Sequence, residues 1–188
     1  MSSWRRLFNA SEPVRYHSLQ MFLDRFAPLG LAEQALASGY GLAEITGAVT
    51  LSPVGRPPRV DWVRLREYQE KRRAVPTDPE TPGSIPLVRS GRLVLGAEVR
   101  IVDDAEQPLP DRHIGQILVR SNSTLSGYFR RPDLTSDALR LGWHRTGDLG
   151  YWSDGELFVT GRSKDLIISG GKNIYPEDLE TVVDSVPG

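Results

Sequence analysis

Arg145-Thr146-Gly147-Asp148-Leu149-Gly150, taken with Gly161-Arg162-Ser163-Lys164-Asp165-Leu166-Ile167-Ile168 and Asn173-Ile174-Tyr175-Pro176-Glu177-Asp178-Leu179-Glu180, decides how this chain is read. Glycines bracket one carboxylate, Asp148, and one guanidinium, Arg162. Between them, Asp148–Trp152 and Glu156–Thr160 read as strands joined across Ser153-Asp154-Gly155, an Asp-Gly hairpin signal. Leu166–Ile168 is a short apolar strand before a Gly170-Gly171 turn, and Pro176 with acidic residues behind it opens a helix. A carboxylate held in a glycine turn accepts hydrogen bonds from two vicinal hydroxyls, although Thr-Gly-Asp alone is also an ordinary strand-entry turn.

Upstream of this string, residues 87–160 read as antiparallel β-structure. Ala97–Asp103 alternates apolar and polar side chains and Gly115–Arg120 does so more loosely, with turns at Asp103-Asp104 and Leu109-Pro110-Asp111 and a helix near Asp133–Leu139. Residues 7–50 alternate helix-like and strand-like pieces. Leu19, Phe22, Leu23 and Phe26 form one helical face ending at Pro28 and Gly30, and a strand Ala35–Ser38 carries Gly39-Tyr40-Gly41 into a loop. From Ser52 to Pro86 seven prolines mark an inserted surface segment, whose proline-free middle, Asp61–Arg73, reads as a short exposed helix. Its Arg64, Arg66, Lys71, Arg72 and Arg73 are interleaved with Asp61, Glu67 and Glu70, which reads as a solvated face.

Composition sets the outer limits. The chain has 188 residues, 39% of them hydrophobic, and a formal net charge of −1, so no global field draws it to nucleic acid or anionic membrane. With no cysteine, disulfides, thiolate catalysis and cysteine metal sites are excluded. His17, His113 and His144 are scattered without metal-ligand spacing. No apolar run is long enough for a transmembrane segment and the N-terminus lacks a signal-peptide core, so a cytoplasmic protein is expected.

The opening string resembles the ribose-binding and hinge region of the adenylate-forming enzymes, which activate carboxylic acids with ATP. Phe8-Asn9-Ala10-Ser11-Glu12-Pro13-Val14 and Gly39-Tyr40-Gly41-Leu42-Ala43-Glu44 are similar to the two adenine-side motifs of that superfamily, in the same order. The segments Ser3 to Val14 and Ser126 to Arg162 are most similar to the fatty acyl-AMP ligases, which also carry an insertion after the Tyr-Gly-Leu-Ala-Glu motif. Lys172–Asp178 is closer to the acyl-CoA synthetases. The resemblance implies a mixed α+β fold: the end of a partial α/β subdomain (1–52), a Pro-rich insertion (53–86), a distorted antiparallel β-barrel subdomain (87–161), and a hinge with the start of a small α+β C-terminal domain (162–188).

The same resemblance implies the site residues. Asp148 would hold the ribose, Tyr40 between Gly39 and Gly41 would stack on adenine at a loop tip, and Ser11, Glu12 and Pro13 would line the purine. Arg162 would reach ribose or phosphate, with an ion pair to Asp165 as the plainer reading, and Lys164 would be the domain hinge. Glu44 would ligate a Mg²⁺ that bridges phosphate oxygens, with ATP or AMP as the nucleotide. The implied partners are a fatty acid and, as acceptor, acyl carrier protein phosphopantetheine or coenzyme A. The sequence holds no Ser/Thr/Gly-rich loop ending in lysine to cradle phosphates, nor a terminal catalytic lysine in the expected context. The expectation is therefore a fragment that is inactive alone and self-associates or needs a complementary N-terminal portion. The rival reading is a non-catalytic nucleotide-binding or interaction module.

Overall fold

The computed structural model describes residues 2–176, 179, 180 and 183. In chain order they form β1 (Leu7–Asn9), α1 (Tyr16–Phe26), β2 (Leu36–Leu42), β3 (Gly47–Leu51), β4 (Val60–Arg64), α2 (Leu65–Lys71) and β5 (Ser84–Val88). Then come β6 (Arg92–Leu93), β7 (Ala97–Val102), β8 (Gly115–Ser121), α3 (Pro132–Ala138), β9 (Leu139–Arg140), β10 (Trp143–Ser153), β11 (Glu156–Arg162), β12 (Ile167–Ser169) and β13 (Lys172–Ile174). The helix expected after Pro176 lies for the most part outside the described residues.

The mixed α+β class stands. A four-stranded sheet runs β1-β2-β3-β6 and a second runs β11-β10-β8-β7, with β9 paired to β10. The first is the partial α/β piece, since β1 and β2 are parallel, and the second is antiparallel throughout. Among the described residues the strands do not close into a barrel. The two sheets meet where the Ser90 N–H donates to the Leu157 carbonyl at 2.7 Å and the Leu157 N–H to the Gly91 carbonyl at 2.8 Å. Ile45 and Val49 from the first sheet's loop and strand pack there against Ile101, Ile117, Val119 and Leu157 of the second.

Local sequence chemistry explains the turns. Asp154 and Gly155 have φ of 52° and 72°, so the β10–β11 hairpin closes with both central residues left-handed, as Asp-Gly favours. Gly170 and Gly171 do the same between β12 and β13.

Two readings are corrected. Gly39-Tyr40-Gly41 is not a loop tip but the middle of β2, paired with β3 from Gly39↔Leu51 to Leu42↔Gly47. The glycines permit this close pairing: a Cβ on Gly41 would lie 1.9 Å from the Gly47 carbonyl oxygen, and one on Gly39 2.5 Å from the Phe8 ring. Nor is the Pro-rich stretch a surface addition with an exposed helix. β4 pairs with β5, and Val63, Tyr68 and Ala74 are completely buried against Tyr151, Phe158 and Tyr175. The charges of α2 follow its solvent side while Tyr68 points inward, which an alternation of acids and bases conceals.

Buried polar groups pin this segment to the β10–β11 hairpin. Tyr151 donates to the Asp61 carboxylate at 2.7 Å, and Arg112 bridges Asp61 and Ser153 at 3.0 and 2.8 Å. Arg89 donates to Glu156 at 3.0 Å and to the Pro57 carbonyl at 2.6 Å. On the other side, Asn173 donates to the Gln69 carbonyl at 2.6 Å and Tyr175 packs on Tyr68 with ring centroids 4.7 Å apart.

Candidate nucleotide site

Four of the residues singled out in the sequence, Ser11, Gly39, Tyr40 and Gly41, line one cleft. A cavity of about 300 Å³ is lined by Phe8, Ala10, Ser11, Tyr40, Gly41 and Ala48, among others, so β1, the loop after it, β2 and β3 supply its walls. Ser11 makes the turn after β1 with φ of 74°, a left-handed conformation at a non-glycine residue. Gly39 and Gly41 both border the cavity. Glu12 and Pro13 are exposed and do not line it.

Tyr40 joins the cleft to Asp148. Its hydroxyl donates to Asp148 Oδ2 at 2.6 Å, across more than a hundred residues of sequence. Asp148 and Arg162 are directly opposed on β10 and β11, and Arg162 Nε lies 3.3 Å from Asp148 Oδ1. The pairing of Arg162 is thus with Asp148 and not Asp165. Thr146, which sequence reading left out, shapes this corner: its hydroxyl donates to the Ile117 carbonyl at 2.8 Å and accepts the Asp148 N–H at 3.0 Å.

The electrostatics follow from burial. Asp148 is largely buried, which raises its pKa, while the Tyr40 hydroxyl and the Arg162 charge oppose that rise. The Tyr40 hydroxyl is pushed far up by burial and then by the Asp148 carboxylate, so it remains a hydrogen-bond donor. Arg162 is more than half exposed, free to turn its remaining donors outward.

Glu44 lies in a one-turn 3₁₀ helix, Ala43–Ile45, directly after β2. Tyr128 donates to Glu44 Oε1 at 2.9 Å. Burial works against ionisation of Glu44, yet its own backbone N–H, Tyr128, His144 and Arg162 together hold its pKa below the ordinary value. Among the described residues no group of three or more His, Asp or Glu side chains is placed to hold a metal. A cation here would take one protein carboxylate and complete its shell from substrate and water oxygens, which suits Mg²⁺. His144, on β10 behind the site, is almost completely buried, and neither ring nitrogen has a hydrogen-bond partner among the described residues. Burial lowers its pKa, and the Glu44 and Asp148 charges offset part of that shift.

Lys164 is exposed in the turn after β11, away from the cleft lining. Tyr128 left no local signal in the sequence for its contact with Glu44, because that partner lies far along the chain.

Residues 1–129 match the family model of the AMP-binding enzymes. The chain belongs to that family. The chain is 34% identical over 186 residues to a putative acyl-CoA synthetase of Caulobacter vibrioides, covering 98% of this chain and 32% of that protein. It is 37% identical to a medium-chain-fatty-acid–[acyl-carrier-protein] ligase of Moorena producens, covering 98% and 33%. Among solved structures, the fatty acid AMP ligase of Legionella pneumophila aligns with a TM-score of 0.82 at 38% identity, over 99% of this chain and 33% of that one. The chain therefore spans about a third of the length of the relatives it matches. The likeness to fatty-acid AMP and CoA ligases inferred from the motifs is borne out.

Proposed function

We propose that this chain holds the adenosine part of a nucleotide in a protein that activates a fatty acid with ATP, forming an acyl-adenylate and releasing pyrophosphate. The acyl group would then pass to the phosphopantetheine thiol of an acyl carrier protein. The observation that carries this reading is the Tyr40–Asp148–Arg162 cluster at the edge of the cleft. The Asp148 carboxylate accepts from both ribose hydroxyls and gives up the Tyr40 contact as it does so, freeing that ring to lie along the adenine. Arg162 turns its exposed guanidinium to the ribose or phosphate oxygens. Glu44 would hold Mg²⁺, whose charge stabilises the in-line displacement at the α-phosphate. Lys164 is the proposed hinge, where an exposed turn absorbs the backbone change of a domain swing.

Coenzyme A as the acceptor is the second reading, favoured by the acyl-CoA synthetase name of the Caulobacter relative and by the Lys172–Asp178 pattern. Thioester formation by the full-length protein with coenzyme A or with a holo carrier protein separates the two.

Calorimetric titration tests the nucleotide site. The chain is expected to bind AMP weakly, and Asp148→Ala to weaken it about ten-fold further, the scale of a lost charge-assisted hydrogen bond pair. Equal binding by the two proteins removes Asp148 from the site. Without a phosphate-cradling loop the chain alone should form no acyl-adenylate, and robust turnover would refute that expectation.

A further inference from the structure

Glu44 sits in a helix of a single turn, too short to fix its own side chain. Its rigidity comes from the segment Ser121–Tyr128. The Leu125 N–H donates to the Glu44 carbonyl at 2.7 Å, the Ser123 hydroxyl to the Ile45 carbonyl at 2.9 Å, and the Thr46 hydroxyl to the Ser123 carbonyl at 3.1 Å. Three hydrogen bonds thus clamp the turn from one side. The fourth contact comes from Tyr128 itself, hydroxyl to Glu44 Oε1 at 2.9 Å.

Tyr128 is itself anchored. Its N–H donates to Thr135 Oγ1 at 2.9 Å, tying it to α3, and Gly127 before it adopts φ of 155° with Thr135 packed close to where a Cβ would stand. The ring also walls a groove of about 640 Å³ with Ser126, Arg131 and Pro132. A tyrosine held at both ends is a fixed donor, and it is electrically neutral. Among the described residues no lysine or arginine pairs with Glu44. A guanidinium in the place of Tyr128 would orient the carboxylate equally well but cancel the charge that a cation needs; a phenol orients it and leaves the charge whole.

Resting on the reading of Glu44 as a cation ligand, we propose that Tyr128 is the positioning residue of that site: its hydroxyl fixes the Glu44 carboxylate in the orientation that receives the nucleotide-bound Mg²⁺. Tyr128 touches neither nucleotide nor metal and acts through Glu44 alone. α3 and the Ser121–Tyr128 segment are then the frame that fixes the cation site in place.

Tyr128→Phe isolates the hydroxyl, since the ring that walls the groove remains. The measurement is Mn²⁺ binding, as a stand-in for Mg²⁺, followed by electron paramagnetic resonance on the chain with saturating AMP, alongside AMP titration without metal. Tyr128→Phe should weaken Mn²⁺ binding about five-fold, the effect of one positioned hydrogen bond, and leave metal-free AMP binding unchanged. In a Glu44→Gln background the same substitution should have no further effect, because its only route is removed. Unchanged Mn²⁺ affinity in Tyr128→Phe overturns the proposal, as does a parallel loss of metal-free AMP binding, which would mark a general structural role. If the wild-type chain binds no AMP, the nucleotide reading fails and the proposal falls with it; normal AMP binding with an indifferent Tyr128→Phe sinks the proposal alone.

Discussion

At the scale of single residues, the site is a meeting of groups whose charges are set by burial. Burial raises the pKa of Asp148, the Tyr40 hydroxyl and the Arg162 charge oppose part of that rise, and Asp148→Ala removes this cluster. His144 shows the opposite case, a buried imidazole with no hydrogen-bond partner among the described residues. Its pKa is lowered by burial, so as pH falls the unfolded chain takes up this proton before the folded chain does. The stability it allows is complete above the ordinary histidine value of about 6.5 and is lost as pH falls below it. Urea denaturation should therefore show a falling midpoint between about pH 7 and about pH 5, and His144→Leu should flatten that fall. An unchanged pH profile in the variant would assign the effect elsewhere. Asp148 and Arg162 were legible in the sequence because glycine turns frame them. Tyr128 was not, since a hydroxyl that serves a residue many positions away has no local signature.

At the scale of elements, hairpins were readable and their packing was not. The β10–β11 turn follows from Asp154-Gly155, and α1 from its apolar spacing up to Pro28 and Gly30. By contrast, the strand through Gly39-Tyr40-Gly41 looked like a loop, because glycines that allow two backbones to approach are indistinguishable in sequence from glycines that allow a turn. The union of β5 with β11 depends on Arg89 and Glu156, whose side chains are only 5% and 3% exposed. Removing Arg89 takes from the buried Glu156 carboxylate its hydrogen-bonded donor and leaves it only Arg92 and Arg59, 3.5 and 3.7 Å away, so Arg89→Ala should destabilise the chain by about 2 kcal/mol. Chemical denaturation measures this, and a loss below about 1 kcal/mol would mean that water replaces the guanidinium.

For the whole molecule, the Pro-rich stretch is where expectation and structure part most. Val63, Tyr68 and Ala74 share a core with Tyr151 and Phe158 of the hairpin that carries Asp148, and Tyr175 closes the other side. Deleting residues 61–84 should therefore abolish cooperative unfolding and expose that core, seen as a lost thermal transition and binding of a hydrophobic dye. A variant that still unfolds cooperatively would make the segment an independent addition after all. The sequence by itself determined the family, the order of the motifs, the mixed α+β class and most turns, because glycine, proline and alternation act over a few residues. Only the tertiary structure decided that Tyr40 reaches Asp148, that Tyr128 holds Glu44, and that the Pro-rich segment belongs to the core. Those contacts join residues far apart in the chain, and what fixes them is close packing and the need to pair buried polar groups, neither of which leaves a periodic mark in the sequence.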